Sequence, residues 1–140
     1  MEKFLIDANI ILGLLNKEDQ HHKKCLKFFQ EIDARYKKGE EIQGFIPLHL
    51  AIEVNINIRK RKRDNTFNGI SPLEILGPKF YPIDLVLLQK IQKNNLYDKF
   101  DKLKSLDAIY AIIAYLENMQ LVTLDRHFEK VKDIIKIKFI

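Results

Sequence analysis

The sequence predicts an α/β fold built on a mainly parallel central sheet. Three observations lead there. Short apolar runs alternate with longer amphipathic stretches along the whole chain, the pattern of strands joined by helical crossovers. Turn-forming residues punctuate those stretches at their ends. The chain has 140 residues, 46% of them apolar and 31% charged, which suits one domain (residues 1–140) that buries a core without covalent staples.

The elements follow in order. Lys3 to Asp7 reads as a buried first strand, and Ile10 to Leu15 as a short helical segment of a turn or two. Over residues 20–38, Cys25, Phe28, Phe29, Ile32 and Tyr36 recur at helical spacing, and Gly39 ends that helix. Ile42 to Ile46 reads as a second strand. Pro47 stands at the start of the next helix, where its missing N–H costs nothing, and that helix runs to about Arg63. Asp64 to Pro78, with Asn65, Asn68, Gly69, Pro72 and Gly77, is the most loop-like stretch. Lys79 to Ile83 forms a third strand that Pro82 confines to an edge or an end. Asp84 caps a helix through about Asn94, and Ser105 caps another through about Asn118. Leu121 to Leu124 is a fourth strand, Arg126 to Val131 a short helix, and Ile135 to Phe139 a final strand.

Net charge is +5, with 13 basic and 10 acidic residues in the first half and 11 and 9 in the second. This mild positive field has no basic tail and is compatible with a polyanionic partner such as RNA. The single cysteine, Cys25, excludes an intrachain disulfide. With no signal peptide visible, this points to the reducing cytoplasm. No apolar run approaches the roughly 20 residues of a membrane span.

Four acids carry the chemistry. Asp7 ends the run Phe4-Leu5-Ile6, and Asp125 follows Leu121-Val122-Thr123-Leu124. Both lie at the carboxyl ends of predicted parallel strands, where sites of such sheets form. On the helix from Leu48, an apolar arc of Leu48, Ala51, Ile52, Ile56 and Ile58 opposes a polar stripe of His49, Glu53, Asn57 and Lys60, so Glu53 is expected to face a cleft. Asp107, in a first helical turn, shares a face with Ala111 and Ala114, small residues that permit close approach. Each acid has a bland reading: Asp7 as an Asx-turn or cap, Glu53 as a solvated surface residue, Asp107 as a helix-dipole partner, Asp125 as a cap.

Together the four are harder to dismiss. Two carboxylates 4 Å apart repel by roughly 4 kcal/mol at an effective dielectric near 20, so four in one place call for a cation. An all-oxygen set without cysteine or histidine at zinc spacing selects Mg²⁺ or Mn²⁺. A water on such an ion is a candidate nucleophile.

The four segments resemble a PIN domain, and among PIN domains the VapC-type toxin ribonucleases of toxin–antitoxin pairs. Phe4-Leu5-Ile6-Asp7-Ala8-Asn9-Ile10-Ile11 resembles the family's opening strand. Asp107-Ala108-Ile109-Tyr110-Ala111-Ile112-Ile113-Ala114 resembles its Asp-Ala helix, and Leu121-Val122-Thr123-Leu124-Asp125-Arg126-His127-Phe128 its closing signature. Glu53 lies where the family carries its helix-borne glutamate. The resemblance implies an α/β/α sandwich and a Mg²⁺ or Mn²⁺ site made by Asp7, Glu53, Asp107 and Asp125, with Asn9 and Thr123 beside it. It also implies endoribonuclease activity, an antitoxin partner and a homodimer.

Other features bear on this reading. Within the basic run Arg59 to Arg63, Lys60, Arg61 and Arg63 are candidates for RNA contact, against the bland reading of a solvated helix end. His21 and His22 lack the spacing of a metal pair and read as surface residues. Tyr97, Phe100, Tyr110 and Tyr115 are candidates for base stacking, against core packing. Asp84, Asp98 and Asp101 read as capping or exposed acids. A catalytically inactive PIN-like module that binds RNA or protein is the alternative function. A haloacid-dehalogenase-like phosphatase is disfavoured because Asn9 stands where that chemistry needs a second aspartate.

Overall fold

A computed structural model of the chain describes residues 1–62 and 77–140, with the side chains of residues 58, 61 and 62 left aside. Five described strands form one sheet: β1 (Glu2–Ile6), β2 (Ile42–Pro47), β3 (Lys79–Tyr81), β4 (Gln120–Thr123) and β5 (Ile137–Phe139). Their order is β3-β2-β1-β4-β5, and every adjacent pair is parallel. Helices flank the sheet: α1 (Ala8–Leu15), α2 (His22–Lys37), α3 (Leu48–Lys62), α4 (Leu85–Lys93), α5 (Leu96–Lys99) and α6 (Ser105–Glu117). A 3₁₀ turn spans Arg126–Val131.

The topology decides where a site forms. From β1 the chain moves outward through β2 to β3, then returns to place β4 on the other side of β1. The order reverses between β1 and β4, and the crevice at the carboxyl ends of two such strands is the usual binding position of an open parallel sheet. The Asp7 N–H donates to the Val122 carbonyl at 3.0 Å, tying the ends of β1 and β4 together one residue past the first strand.

Burial explains the sheet centre. Phe4, Leu5 and Ile6 of β1 and Leu121 and Val122 of β4 are all buried, as strands covered on both faces must be. Helix α6 packs on β1 and β4 and contributes Tyr110 through Ala114 to the core. Helix α1 packs on α2 and α3. Its Gly13 lies so close to α2 that an added Cβ would stand 2.6 Å from the Cys25 Sγ. Gly39 closes α2 at φ +84°, with its N–H bonded to the Tyr36 carbonyl.

Several expectations need correction. Pro47 ends β2 instead of opening α3, where its missing N–H is tolerated because β2's pairing with the edge strand β3 ends there. The packed arc of α3 is rotated from the expected one. Leu50, Ala51 and Val54 are buried, whereas Leu48, Ile52 and Ile56 are 43%, 65% and 48% exposed. Glu53 thus stands at the margin of the buried face, half-buried. Lys104, not Ser105, occupies the N-cap of α6, and Ser105 is its first helical residue. His22 is half-buried, with Nδ1 at 2.9 Å from the Gly13 carbonyl oxygen, and is no free surface residue. The helix α5 was not anticipated. Among the candidate stacking aromatics, Phe100 and Tyr110 are core residues, while Tyr97 and Tyr115 are exposed.

Asp84 caps α4 as expected, accepting the Leu87 N–H at 3.0 Å. Lys79–Tyr81 is an edge strand that stops before Pro82. Arg63, the loop-like stretch up to Leu76 and the side chain of Arg61 lie outside the described residues. No helix among the described residues is long and apolar enough to cross a membrane.

Candidate metal centre

Asp7 occupies the N-cap position of α1 but makes no side-chain capping bond. Its carboxylate has other partners. Oδ2 accepts the buried Thr123 hydroxyl at 2.6 Å and the Asn9 amide N–H at 3.1 Å. The same Thr123 oxygen accepts the Asp125 N–H at 2.9 Å, and Asn9 Oδ1 accepts the Leu124 N–H at 3.3 Å. Asn9 and Thr123 therefore lock the loop after β4 onto the loop after β1. The bland capping account of Asp7 is gone, and what replaces it is a buried acid held rigid between two strand ends.

That acid is under electrostatic load. Asp7 is only 7% exposed, and burial pushes its carboxyl from 3.8 to about 7, with Glu53 and Asp107 raising it further against the Thr123 hydroxyl and the Ala8 backbone. Glu53 is also raised, chiefly by burial and then by Asp107, although its Oε2 accepts the Tyr110 hydroxyl at 3.3 Å. Asp107 is raised by burial and then by Asp125, with His127, Lys104 and Lys130 opposing. Asp7 thus feels the charges of Glu53 and Asp107, and Asp107 feels that of Asp125. Mutually repelling acids in a partly desolvated crevice are the signature of a functional site more often than of a structural one.

The donor set fits a divalent cation. Ligand atoms of Asp107, Asp125 and His127 lie within 4.8 Å of one another, and Asp7 and Glu53 are coupled to Asp107 by charge repulsion. Asp125 also keeps its capping duty, its Oδ1 accepting the His127 N–H at 2.9 Å.

Sequence reasoning missed several neighbours of this cluster. His127 Nδ1 stands 3.1 Å from Asp125 Oδ1. The signal was present in Asp125-x-His127, a two-residue spacing across a turn. Lys104 and Lys130 line, with Leu103, Asp107 and His127, a cavity of about 40 Å³. They come from distant parts of the chain, and nothing local joins them. On the other flank, His49 packs edge-on against Tyr110 at 5.1 Å. Both its buried ring nitrogens lack a hydrogen-bond partner among the described residues, and burial lowers its pKa. Asp84, Asp98 and Asp101 are exposed, and no contact among the described residues links them to the cluster. Lys60 is exposed on α3.

The comparisons with known proteins agree with this fold. The VapBC2 complex of Rickettsia felis, solved bound to a DNA fragment from its promoter, is similar in structure, with a TM-score of 0.69 at 16% identity and 99% and 98% of the two chains covered. DNA-bound VapBC from Salmonella typhimurium is similar with a TM-score of 0.63 at 16% identity, over 99% and 98%. Mycobacterium tuberculosis VapC20, a sarcin–ricin loop cleaving toxin, is similar with a TM-score of 0.59 at 11% identity, over 91% and 94%. No curated protein matches the sequence significantly. The sequence itself matches the PIN domain over residues 4–134, and the chain belongs to the PIN domain family.

Proposed function

We propose that this chain is a Mg²⁺- or Mn²⁺-dependent endoribonuclease, working as one domain over residues 1–140, with Asp7, Glu53, Asp107 and Asp125 as its metal-binding carboxylates. The observation that carries the reading is Asp7: a buried acid at the sheet's switch point, held by Thr123 and Asn9 and crowded by two further acids. An uncompensated carboxylate there is costly, and a cation removes the cost.

When bound, the ion lowers the pKa of a water and offsets charge on the phosphate. The chain's own residues do the rest. Thr123 and Asn9 hold the Asp7 carboxylate in one orientation, and Tyr110 holds Glu53. One carboxylate of the set, such as Glu53, would accept the proton of the attacking water. Lys104 and Lys130, on the cavity beside Asp107, are placed to hold the phosphate backbone of the substrate. Lys60, Arg61 and Arg63 are further candidates for the same role.

The VapC and VapBC likenesses support a toxin of a toxin–antitoxin pair, acting in the cytoplasm and silenced by a cognate antitoxin. A homodimer is part of the proposal. Leu48, Ile52 and Ile56 on α3 and Leu85, Val86 and Leu88 on α4 are exposed apolar residues available to a second copy or an antitoxin. The test is cleavage of structured RNAs with Mg²⁺ or Mn²⁺ by wild type and Asp107→Asn. Cleavage that needs the metal and is lost in the variant supports the reading, and equal cleavage by both proteins sinks it.

A further inference from the structure

We infer that His127 donates an imidazole nitrogen to the same cation, which makes the centre a mixed carboxylate–imidazole site selective for Mn²⁺ over Mg²⁺. The inference rests on the metal-nuclease reading above and adds a ligand that the four acids do not include.

Geometry is the first ground. Asp125 Oδ1 and His127 Nδ1 are 3.1 Å apart. Two donors in adjacent positions around an octahedral ion, each about 2.1 Å from it, stand about 3 Å apart. The separation therefore matches an octahedral edge as well as a hydrogen bond. Asp107 completes a trio whose ligand atoms all lie within 4.8 Å. Opposite positions of the same octahedron stand about 4.2 Å apart, so the trio need only draw together to close on one ion.

The local fold is the second ground. Asp125 Oδ1 accepts the His127 N–H at 2.9 Å, which fixes the turn that carries both groups. Phe128, the next residue, is fully buried and anchors that turn in the core. The backbone of His127 is thus pinned while its ring stays exposed beside Asp107, lining the same small cavity. A ring in this position reaches a bound ion without disturbing the core.

Chemistry gives the consequence. Carboxylate and water donors suit Mg²⁺ and Mn²⁺ alike, whereas an imidazole nitrogen favours the transition ion. Removing His127 should therefore weaken Mn²⁺ more than Mg²⁺.

The experiment is calorimetric titration of the full chain with MnCl₂ and with MgCl₂, joined to electron spin-echo spectroscopy of the Mn²⁺-loaded protein, for wild type, His127→Ala and His127→Gln. The expected result is nitrogen modulation of the manganese echo in wild type and its loss in both variants. Mn²⁺ affinity should fall about tenfold or more, with a smaller fall for Mg²⁺. Absence of nitrogen modulation in wild type, its persistence in His127→Ala, or wild-type Mn²⁺ affinity in His127→Gln would overturn the inference and leave the acidic site standing. Failure of wild type to bind either ion would overturn the metal reading itself.

Discussion

Replacing Asp7 with asparagine should make the metal-free protein more stable at pH 8. In the fold the carboxyl is raised from 3.8 to about 7, mainly by burial. Between those values the folded protein keeps a proton that the unfolded chain releases. The stability contributed by this group is therefore greatest below pH 4, declines as pH rises through the window, and is lowest above pH 7. At about 1.4 kcal/mol per pH unit, the ionised carboxylate costs the folded state about 4 kcal/mol at pH 8. Asparagine carries no charge, and its side-chain oxygen can still accept from Thr123 and Asn9. Its amide group needs a new partner, so a net gain of about 2–4 kcal/mol is expected. For a chain of this length that corresponds to roughly 6–12 °C in melting temperature. The assay is urea or thermal unfolding of both proteins in chelator at steps from pH 4 to 8. The stability difference should open with pH and close near pH 4. Added Mn²⁺ should stabilise wild type selectively. A variant that is less stable at pH 8, or a difference that does not change with pH, would refute the reasoning that Asp7 is a strained, desolvated acid.

Other perturbations test neighbouring parts of the account. Tyr110→Phe keeps the ring that packs on His49 but removes the hydroxyl bonded to Glu53; Glu53 should rise further, moving the acid limb of a pH–rate profile to higher pH at a stability cost of about 1 kcal/mol. Lys104→Ala and Lys130→Ala should each weaken binding of a single-stranded RNA measured in chelator, and should lower the log–log salt slope by about 0.7 for each phosphate neutralisation removed, which anisotropy titrations at several salt concentrations will read. Gly13→Ala should destabilise the fold by about 1–3 kcal/mol, because the new methyl meets the Cys25 sulfur at 2.6 Å; chemical unfolding should show that loss largely relieved in the Gly13→Ala/Cys25→Ala double variant.

The strand ends were legible because a carboxylate directly after a buried apolar run has few places to go, and Asp7 and Asp125 follow such runs. Asn9 and Thr123 were legible through their place in the same motifs, and they prove to be the bonds that lock the two ends. Helix α3 shows what periodicity leaves open. It carries one apolar arc at Leu50, Ala51 and Val54 and another at Leu48, Ile52 and Ile56. Only packing against the sheet and α1 chooses the first. Glu53 lies between the two arcs and is half-buried. His127 is harder to pick out because its side chain is exposed and tertiary packing alone brings it beside Asp107, twenty positions earlier in the sequence. Lys104 and Lys130 reach the site for the same tertiary reason, whereas the dense basic run at Arg59 to Arg63 attracted notice through local charge alone.

The most direct test of the central claim is anomalous diffraction from crystals of the wild-type protein grown with Mn²⁺. The account predicts a manganese peak in the crevice between the ends of β1 and β4, within bonding distance of carboxylates from the set Asp7, Glu53, Asp107 and Asp125, and no such peak in Asp107→Asn crystals. A crevice without manganese at saturating ion, in a protein that still cleaves RNA, would contradict it.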